Sequence, residues 1–297
     1  MQRIELAPGL TTSRVAWGFW RWTEWGISIS ELQSLVPQVL DLGISLIDHA
    51  DIYSDGHAEV AFGEVLKKNP SLRDRMEIIS KSTIVYPRGN IRVKYYDTSK
   101  KHIISQAEAS LQNLNTDHLD LLLLHRPDPM LDPAETAEAL EQLYKDGKVR
   151  AVGVSNYKRA DISLLQSYLS IPLVVNQIEA SVLCHENFDD WTIQYGQEHR
   201  MHPIAWSPLA GGRIFTSEDP TAIRVREALE TVREDLGAPA IDDVALAWLF
   251  SHPAEFLTIT GACDLDFIKR PIEALDYTLT REQWFMIWSA YTGHKVL

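Results

Sequence analysis

A carboxylate, a phenol, an amine and an imidazole sit at the polar ends of three apolar runs in this chain. Asp48 and Tyr53 lie in LIDHADIY, Lys81 in IISKS and His125 in LLLLHRPD. If those runs are consecutive strands of one parallel barrel, the four side chains meet at one mouth. The set suits carbonyl reduction. A tyrosine holds its proton up to a pKa of about 10 and yields it reluctantly. A neighbouring ammonium stabilises the phenolate and lowers that value. Lys81 supplies such a charge, and Asp48 can hold and balance Lys81. Tyr53 is then the expected general acid, while His125 donates a hydrogen bond that fixes the carbonyl oxygen. The hydride must come from a cofactor. Taken singly, each residue reads as a cap, a solvated strand end or a loop tyrosine; their order and spacing together favour a site.

The elements that must position them alternate. Strands are expected at Val15–Phe19, Ser45–Asp48, Glu77–Ser80, Leu119–Leu124, Val149–Val154, Leu173–Ile178, Pro203–Trp206 and Phe256–Ile259. Leu119–Leu124 is nearly all apolar, as a strand buried on both faces should be. Helices are expected at Ser30–Leu42, Val60–Lys67, Ser99–Leu114, Pro133–Asp146, Ala160–Ser167, Asn187–Gln197, Thr221–Leu236, Asp242–Phe250, Phe267–Leu275 and Arg281–Trp288, with apolar residues at helical spacing. Pro37 should kink the first of these or delay its start. Eight strand–helix units predict an α/β protein, a (β/α)8 TIM barrel, with residues 1–297 as a single domain. An open doubly wound sheet is the runner-up, but no GxGxxG follows the first strand. Val85–Ser99 is too polar for an element and reads as a long loop over the barrel mouth.

In such a barrel, functional groups lie at the C-terminal strand ends. Ser155, Asn156 and Gln177 there offer the donors and acceptors that a nicotinamide carboxamide needs. Trp206 offers a flat face for the ring. In the run Ser207–Arg213, which includes Leu209, Gly211 and Gly212 let backbone approach a pyrophosphate and Arg213 could pair with it. Tyr86 and Arg126 are candidates for the substrate side, although a salt bridge would equally occupy Arg126; Trp20 could pack the first loop. Trp22 and Trp25 read as packing; Tyr95 and Tyr96 could form a substrate wall or anchor the loop. His49 and Asp51 hint at a metal, but no HxH or second ligand cluster accompanies them, so none is expected.

At this point the sequence resembles the aldo-keto reductase superfamily. The matching blocks are GFWRW, LGISLIDHADIY with Glu59 and Gly63, IISKS, LLLLHRPDP, VRAVGVSNY, VVNQIE and AWSPLAGG. Among its members the chain looks most like bacterial oxidoreductases of the YdhF type, which share DHADIY and DHLDLLLLHRPDP. The resemblance implies a (β/α)8 barrel that reduces an aldehyde or ketone with NADP(H) or NAD(H). It also implies that Asp48, Tyr53, Lys81 and His125 match the catalytic tetrad. Ser155, Asn156 and Gln177 match the carboxamide contacts, Trp206 the stacking position, and Trp20 a position that often lines the substrate pocket. The chain departs from the pattern in TITGACDLDFIKR, just after Gly261. Asp264 stands at the usual basic position and Phe267 at the usual arginine position, so a 2′-phosphate meets carboxylates unless Lys269 or Arg270 reaches over. An acidic group can accept from a free 2′-hydroxyl instead. A weakened preference for NADP, with NAD use, is therefore expected. Some relatives, such as potassium-channel β subunits, serve chiefly as cofactor-binding partners of another protein, which is the alternative reading.

The bulk properties narrow the rest. The chain has 28 basic against 41 acidic residues, a net charge of −13, which argues against nucleic acid or an anionic membrane as a partner. Cys184 and Cys263 form no disulfide framework or metal motif and read as reduced thiols. No signal peptide and no span-length apolar run is visible. A cytoplasmic protein acting on a small-molecule carbonyl, monomeric by default, is the expectation.

Overall fold

The computed structural model describes residues 1–296. Eight parallel strands close into a barrel: β1 Val15–Gly18, β2 Leu46–Asp48, β3 Glu77–Ser82, β4 Leu119–Leu124, β5 Val149–Ser155, β6 Leu173–Glu179, β7 His202–Trp206 and β8 Leu257–Thr260. Each is hydrogen-bonded to its neighbours in sequence, and β8 closes on β1. Helices follow every strand, so the fold is a (β/α)8 barrel. Each expected strand is present within two residues at either end.

The period of two along a strand decides what lies inside. Ala16, Leu46, Ile79, Leu121, Leu123, Ala151, Val175, Ile204 and Leu257 form one interior cluster. The alternate strand residues, such as Val15, Ile47, Ile78, Leu122 and Val152, pack outward against the helices. β4 has no exposed residue. Its one charge, Asp120, is satisfied by Arg73 at 2.7 Å, Arg150 at 2.8 Å and the Ile78 amide at 2.8 Å.

Two small pairings were not legible in the sequence. Arg3–Ala7 and Leu10–Ser13 form an antiparallel hairpin. Its Ile4, Leu6 and Leu10 join the interior cluster at the end where the strands begin. At the start of the expected loop Val85–Ser99, Ile84–Val85 pairs with Tyr95–Tyr96, so that segment carries a two-residue ladder. The helix expected at Asn187–Gln197 is broken into Glu186–Asp189 and Thr192–Glu198, with Trp191 in the left-handed region (φ 68°) between them. The last helix runs further than expected, Arg281–Thr292. Pro37 neither delays nor ends its helix, which spans Ile29–Asp41. Ser28 starts that helix with a capping box, accepting from the Glu31 amide while the Glu31 carboxylate accepts from the Ser28 amide.

The helices pack closely where small residues permit. Gly63, in helix His57–Lys68, lies against the end of helix Lys100–Asn113; a Cβ there would stand 1.9 Å from the Asn113 carbonyl oxygen. The obstacle is backbone and cannot rotate away. Gly63→Ala is expected to cost about 3 kcal/mol, seen as a fall in Tm of roughly 5–10 °C by circular dichroism. An unchanged Tm would mean that the two helices are not this close.

Candidate active site

The period of two that builds the core also builds the site. Continuing each interior row by one more inward position, or on β5 by two past Ala151 through Gly153, gives Gly18, Asp48, Lys81, His125, Ser155, Gln177, Trp206 and Ile259, all of which except Lys81 line a single cavity of about 630 Å³. Lys81 lies beneath it, fully buried. Gly18 pairs with Asp48 and Ser155 with Gln177 in the strand register. Tyr53 arrives from the β2 loop, where Ser54, Asp55 and Gly56 take successive left-handed conformations before the helix starts at His57.

The Lys81 ammonium has three protons and three acceptors: Asp48 Oδ1 at 2.7 Å, the His49 carbonyl at 2.8 Å and Tyr53 Oη at 2.9 Å. The Tyr53 hydroxyl in turn reaches Asp48 Oδ2 at 3.5 Å. Gln177 Nε2 donates to Asp48 Oδ1 at 2.8 Å, a contact that the sequence did not announce. The His125 ring stands edge-on to Tyr53, centroids 5.9 Å apart. The four expected residues are thus brought together.

Their titration differs from the expectation in one respect. The Tyr53 phenol is held well above its usual value, first by burial and then by the Asp48 charge. The Lys81 ammonium lies at 2.9 Å, but burial and the Asp48 carboxylate outweigh it, and Arg126 lowers the phenol only in part. Burial lowers Lys81, opposed by Asp48. His125 is pushed well below its usual value by burial, then by Lys81 and Arg126. Its imidazole is neutral at pH 7, with Nδ1 buried and unpartnered among the described residues. His49 is fully buried against Phe19 and Phe62 and falls to about 3, by burial and then Lys81. Asp51 and Glu59 are both raised by burial first.

On the β5–β8 side, Ser155, Asn156, Gln177, Trp206, Ser207, Leu209, Gly211, Gly212 and Gly261 all line the cavity. Asn156 is fixed at both ends: its Nδ2 donates to Ser155 Oγ at 2.8 Å, and its Oδ1 accepts from Trp206 Nε1 at 3.0 Å. Ser207, Ala210, Gly211 and Gly212 are left-handed, and a Cβ on either glycine would meet nothing within 4 Å. That open turn beside an anchored indole fits a nicotinamide dinucleotide. Two of the expected residues, Arg213 and Asp264, turn to backbone instead. Arg213 is exposed, starts a short helix and turns its Nε back to the Ala210 carbonyl at 3.1 Å. Asp264 is exposed and caps helix Leu265–Glu273, accepting from the Asp266 amide at 2.8 Å. Neither lines the cavity. Helix geometry claims both: residue type and spacing suggested the ligand, but not which way the side chain turns. Phe267 and Arg270 do line it, and Arg270 is bound to Asp242 at 2.6 Å and Asp243 at 3.0 Å.

On the β3–β4 side, Trp20, Tyr86 and Arg126 line the cavity as expected, together with Arg21 and Lys94. The Arg126 guanidinium lies 5.9 Å from the Trp206 ring, and no carboxylate pairs with it among the described residues. Trp25 packs, stacked on Trp17 at 5.6 Å, and both indoles also donate to backbone, to Gly261 and Ala262. Arg21 and Lys94 were missed although they stand in the quoted GFWRW block and in the loop over the mouth. Their surroundings gave no local signal.

Residues 14–292 match the sequence profile of the aldo/keto reductase family. Over the whole of both chains, 46% of residues are identical to the uncharacterized oxidoreductase YcsN of Bacillus subtilis. The oxidoreductase YdhF of Escherichia coli is 44% identical over 100% of this chain and 99% of its own. A 6-dehydroglucose reductase of Agrobacterium fabrum is 43% identical over 100% of both. Among solved structures, an aldo/keto reductase from Klebsiella pneumoniae in complex with NADP and acetate superposes with a TM-score of 0.77 at 25% identity, covering 95% of this chain and 92% of that one.

The Lys81–Asp48 contact yields a stability test. Asp48→Asn leaves a buried ammonium without its counter-charge and should cost about 3–5 kcal/mol in urea unfolding. Adding Lys81→Met removes the stranded charge and should recover much of that loss. A neutral Asp48→Asn, or no recovery in the double variant, would contradict a buried ion pair here.

Proposed function

The chain belongs to the aldo/keto reductase family, and we propose that it reduces an aldehyde or ketone to the alcohol with Tyr53 as the proton donor and NADP(H) or NAD(H) as cofactor. The observation that carries this reading is the Lys81 ammonium, which already donates to the Tyr53 oxygen. As the phenol proton moves to the carbonyl oxygen, the charge left on Tyr53 faces that donor. Asp48 keeps Lys81 in place and neutralises it, so the buried site need not hold a net charge. The raised value of Tyr53 means that it waits protonated, as a donor must. His125, neutral, is suited to donate a hydrogen bond to the carbonyl oxygen and to hold it near Tyr53. When bound, the reduced cofactor supplies the hydride to the carbonyl carbon.

Ser155, Asn156 and Gln177 would take the carboxamide, Trp206 the ring, and the Ser207–Gly212 turn the pyrophosphate. Preference for a 2′-phosphate is weak in this reading. Asp264 and Asp266 stand at the exposed helix start, and Arg270 is already neutralised by two carboxylates. Asp264 would influence that choice by its charge, since its Oδ1 is used as the cap.

Tyr53→Phe is expected to lower kcat about 10²–10⁴-fold, with NADPH and NADH still binding, followed by tryptophan fluorescence. In the wild type the two cofactors should bind within about tenfold of one another. A variant that keeps most of its reductase rate would remove Tyr53 as the donor. Tight cofactor binding without turnover of any simple carbonyl would point instead to a partner protein of the channel-β kind.

The pH profile gives a separate check. Tyr53 is raised, so its proton is retained up to and beyond pH 10; His125 is lowered, so it stays neutral down to well below pH 6.5. The reductive kcat/KM should therefore be flat from pH 6.5 to about 9.5. A bell within that window would contradict both assignments.

A further inference from the structure

The protein carries a net charge of −13, yet the cavity that holds Tyr53 and His125 is lined by Arg21, Lys94 and Arg126. The acidic groups lining the same cavity are already neutralised: Asp48 by Lys81 and Asp242 by Arg270. Among the described residues, no carboxylate pairs with Arg126 or Lys94. Arg21 has only Glu24, exposed and 3.8 Å away. The cations rest on aromatic faces instead, Arg126 near Trp206 at 5.9 Å and Lys94 near Tyr86 at 5.2 Å. Such contacts hold a cation without cancelling its charge.

They rise from other strand ends than the turn assigned to the pyrophosphate, although the Arg126 guanidinium reaches to 5.9 Å from the Trp206 ring that precedes that turn. Arg126 follows His125 at the end of β4, and Lys94 lies between β3 and β4. The Ser207–Gly212 turn and Gly261 follow β7 and β8, three and four strands round the barrel from β4. Both cations also act on the tetrad: Arg126 and Lys94 each help to lower His125. A pocket for an uncharged carbonyl has no use for unneutralised positive charge this near to its reacting groups.

We propose that the substrate is a carbonyl compound bearing an anionic group, a carboxylate, sulfonate or phosphate, which Arg126 and Lys94 receive while Tyr53 and His125 face the carbonyl. The proposal rests on the reductase reading and names its substrate class. A guanidinium presents paired donors to an oxyanion, and the bond is charge-assisted.

The test uses pairs of probes matched in shape. 4-Carboxybenzaldehyde is compared with its methyl ester, and glyceraldehyde 3-phosphate with glyceraldehyde, for the wild type, Arg126→Met and Lys94→Met. The wild type should favour at least one anionic probe by about tenfold or more in kcat/KM, and Arg126→Met should bring that ratio close to one. Which pair shows the preference tells carboxylate from phosphate. Because cofactor and proton-donor effects fall on both members of a pair, the ratio reads the anion site alone. A wild type that prefers both neutral probes, or an Arg126→Met that slows both members equally, overturns the proposal. Binding of 4-methylbenzoate against 4-methylbenzamide to the NADPH complex keeps the two readings apart. Arg126-dependent binding of the benzoate without turnover of any aldehyde would uphold the anion site and sink the reductase. Turnover of the ester with no anion preference would do the reverse.

Discussion

The rest of the site depends on one buried ammonium. Lys81 has no exposed surface, and a charge in that position must be both paired and fully hydrogen-bonded. Its three protons are used by three oxygens that come from one short stretch, Asp48 to Tyr53. That requirement links β2 to β3 and fixes where the β2 loop may go. The His49 carbonyl must point inward, and the phenol must come back over the strand end. The left-handed run Ser54–Gly56 is the backbone that permits this return. Single left-handed residues with a side chain are unfavourable by about 1–2 kcal/mol, so the surrounding contacts must hold the turn in place.

Burial then sets the state of each neighbour. With Asp48 and Lys81 balanced, any further charge near them would be unopposed. His49, packed between two phenylalanines, is accordingly neutral, and Asp51 and Glu59 hold their protons more tightly than exposed carboxyls do. Glu59 accepts from Ser80 Oγ at 2.6 Å on the helix side of β3. The same low-polarity surroundings strengthen the Lys81–Tyr53 contact. Stability and chemistry therefore draw on one arrangement.

How much of this was legible follows from range. The eight barrel strands were readable because each is an apolar run bounded by polar or turn residues, and period-two alternation carries the interior row to the site at every strand end. The N-terminal hairpin was not, because Ile4, Leu6 and Leu10 are too few to mark strands alone. The two expected cofactor residues that do not line the cavity, Arg213 and Asp264, sit at helix starts, where backbone groups compete for a polar side chain. Arg270 with Asp242 and Asp243 could not be paired from local sequence at all, since the partners lie 27 and 28 residues away.

The two sides of the cavity are held differently, and this bears on what each can do. The side assigned to the cofactor is tied by directed bonds. Trp17 donates to the Ala262 carbonyl at 2.8 Å and Trp25 to Gly261 at 2.9 Å, the two rings stacked within 7° of parallel, while Asn156 fixes Trp206. Trp17 and Trp25 thus set the end of β8, and Asn156 the plane of the Trp206 indole. The opposite side rests on less: a two-residue ladder, Tyr86 and Lys94 exposed, and a long cation–aromatic contact between those two. A nicotinamide is the same molecule for every substrate, so a fixed surface serves it. On the proposed reading, the group that distinguishes one carbonyl from another would meet the loosely held side, where changes of loop sequence disturb neither the buried ammonium nor the barrel.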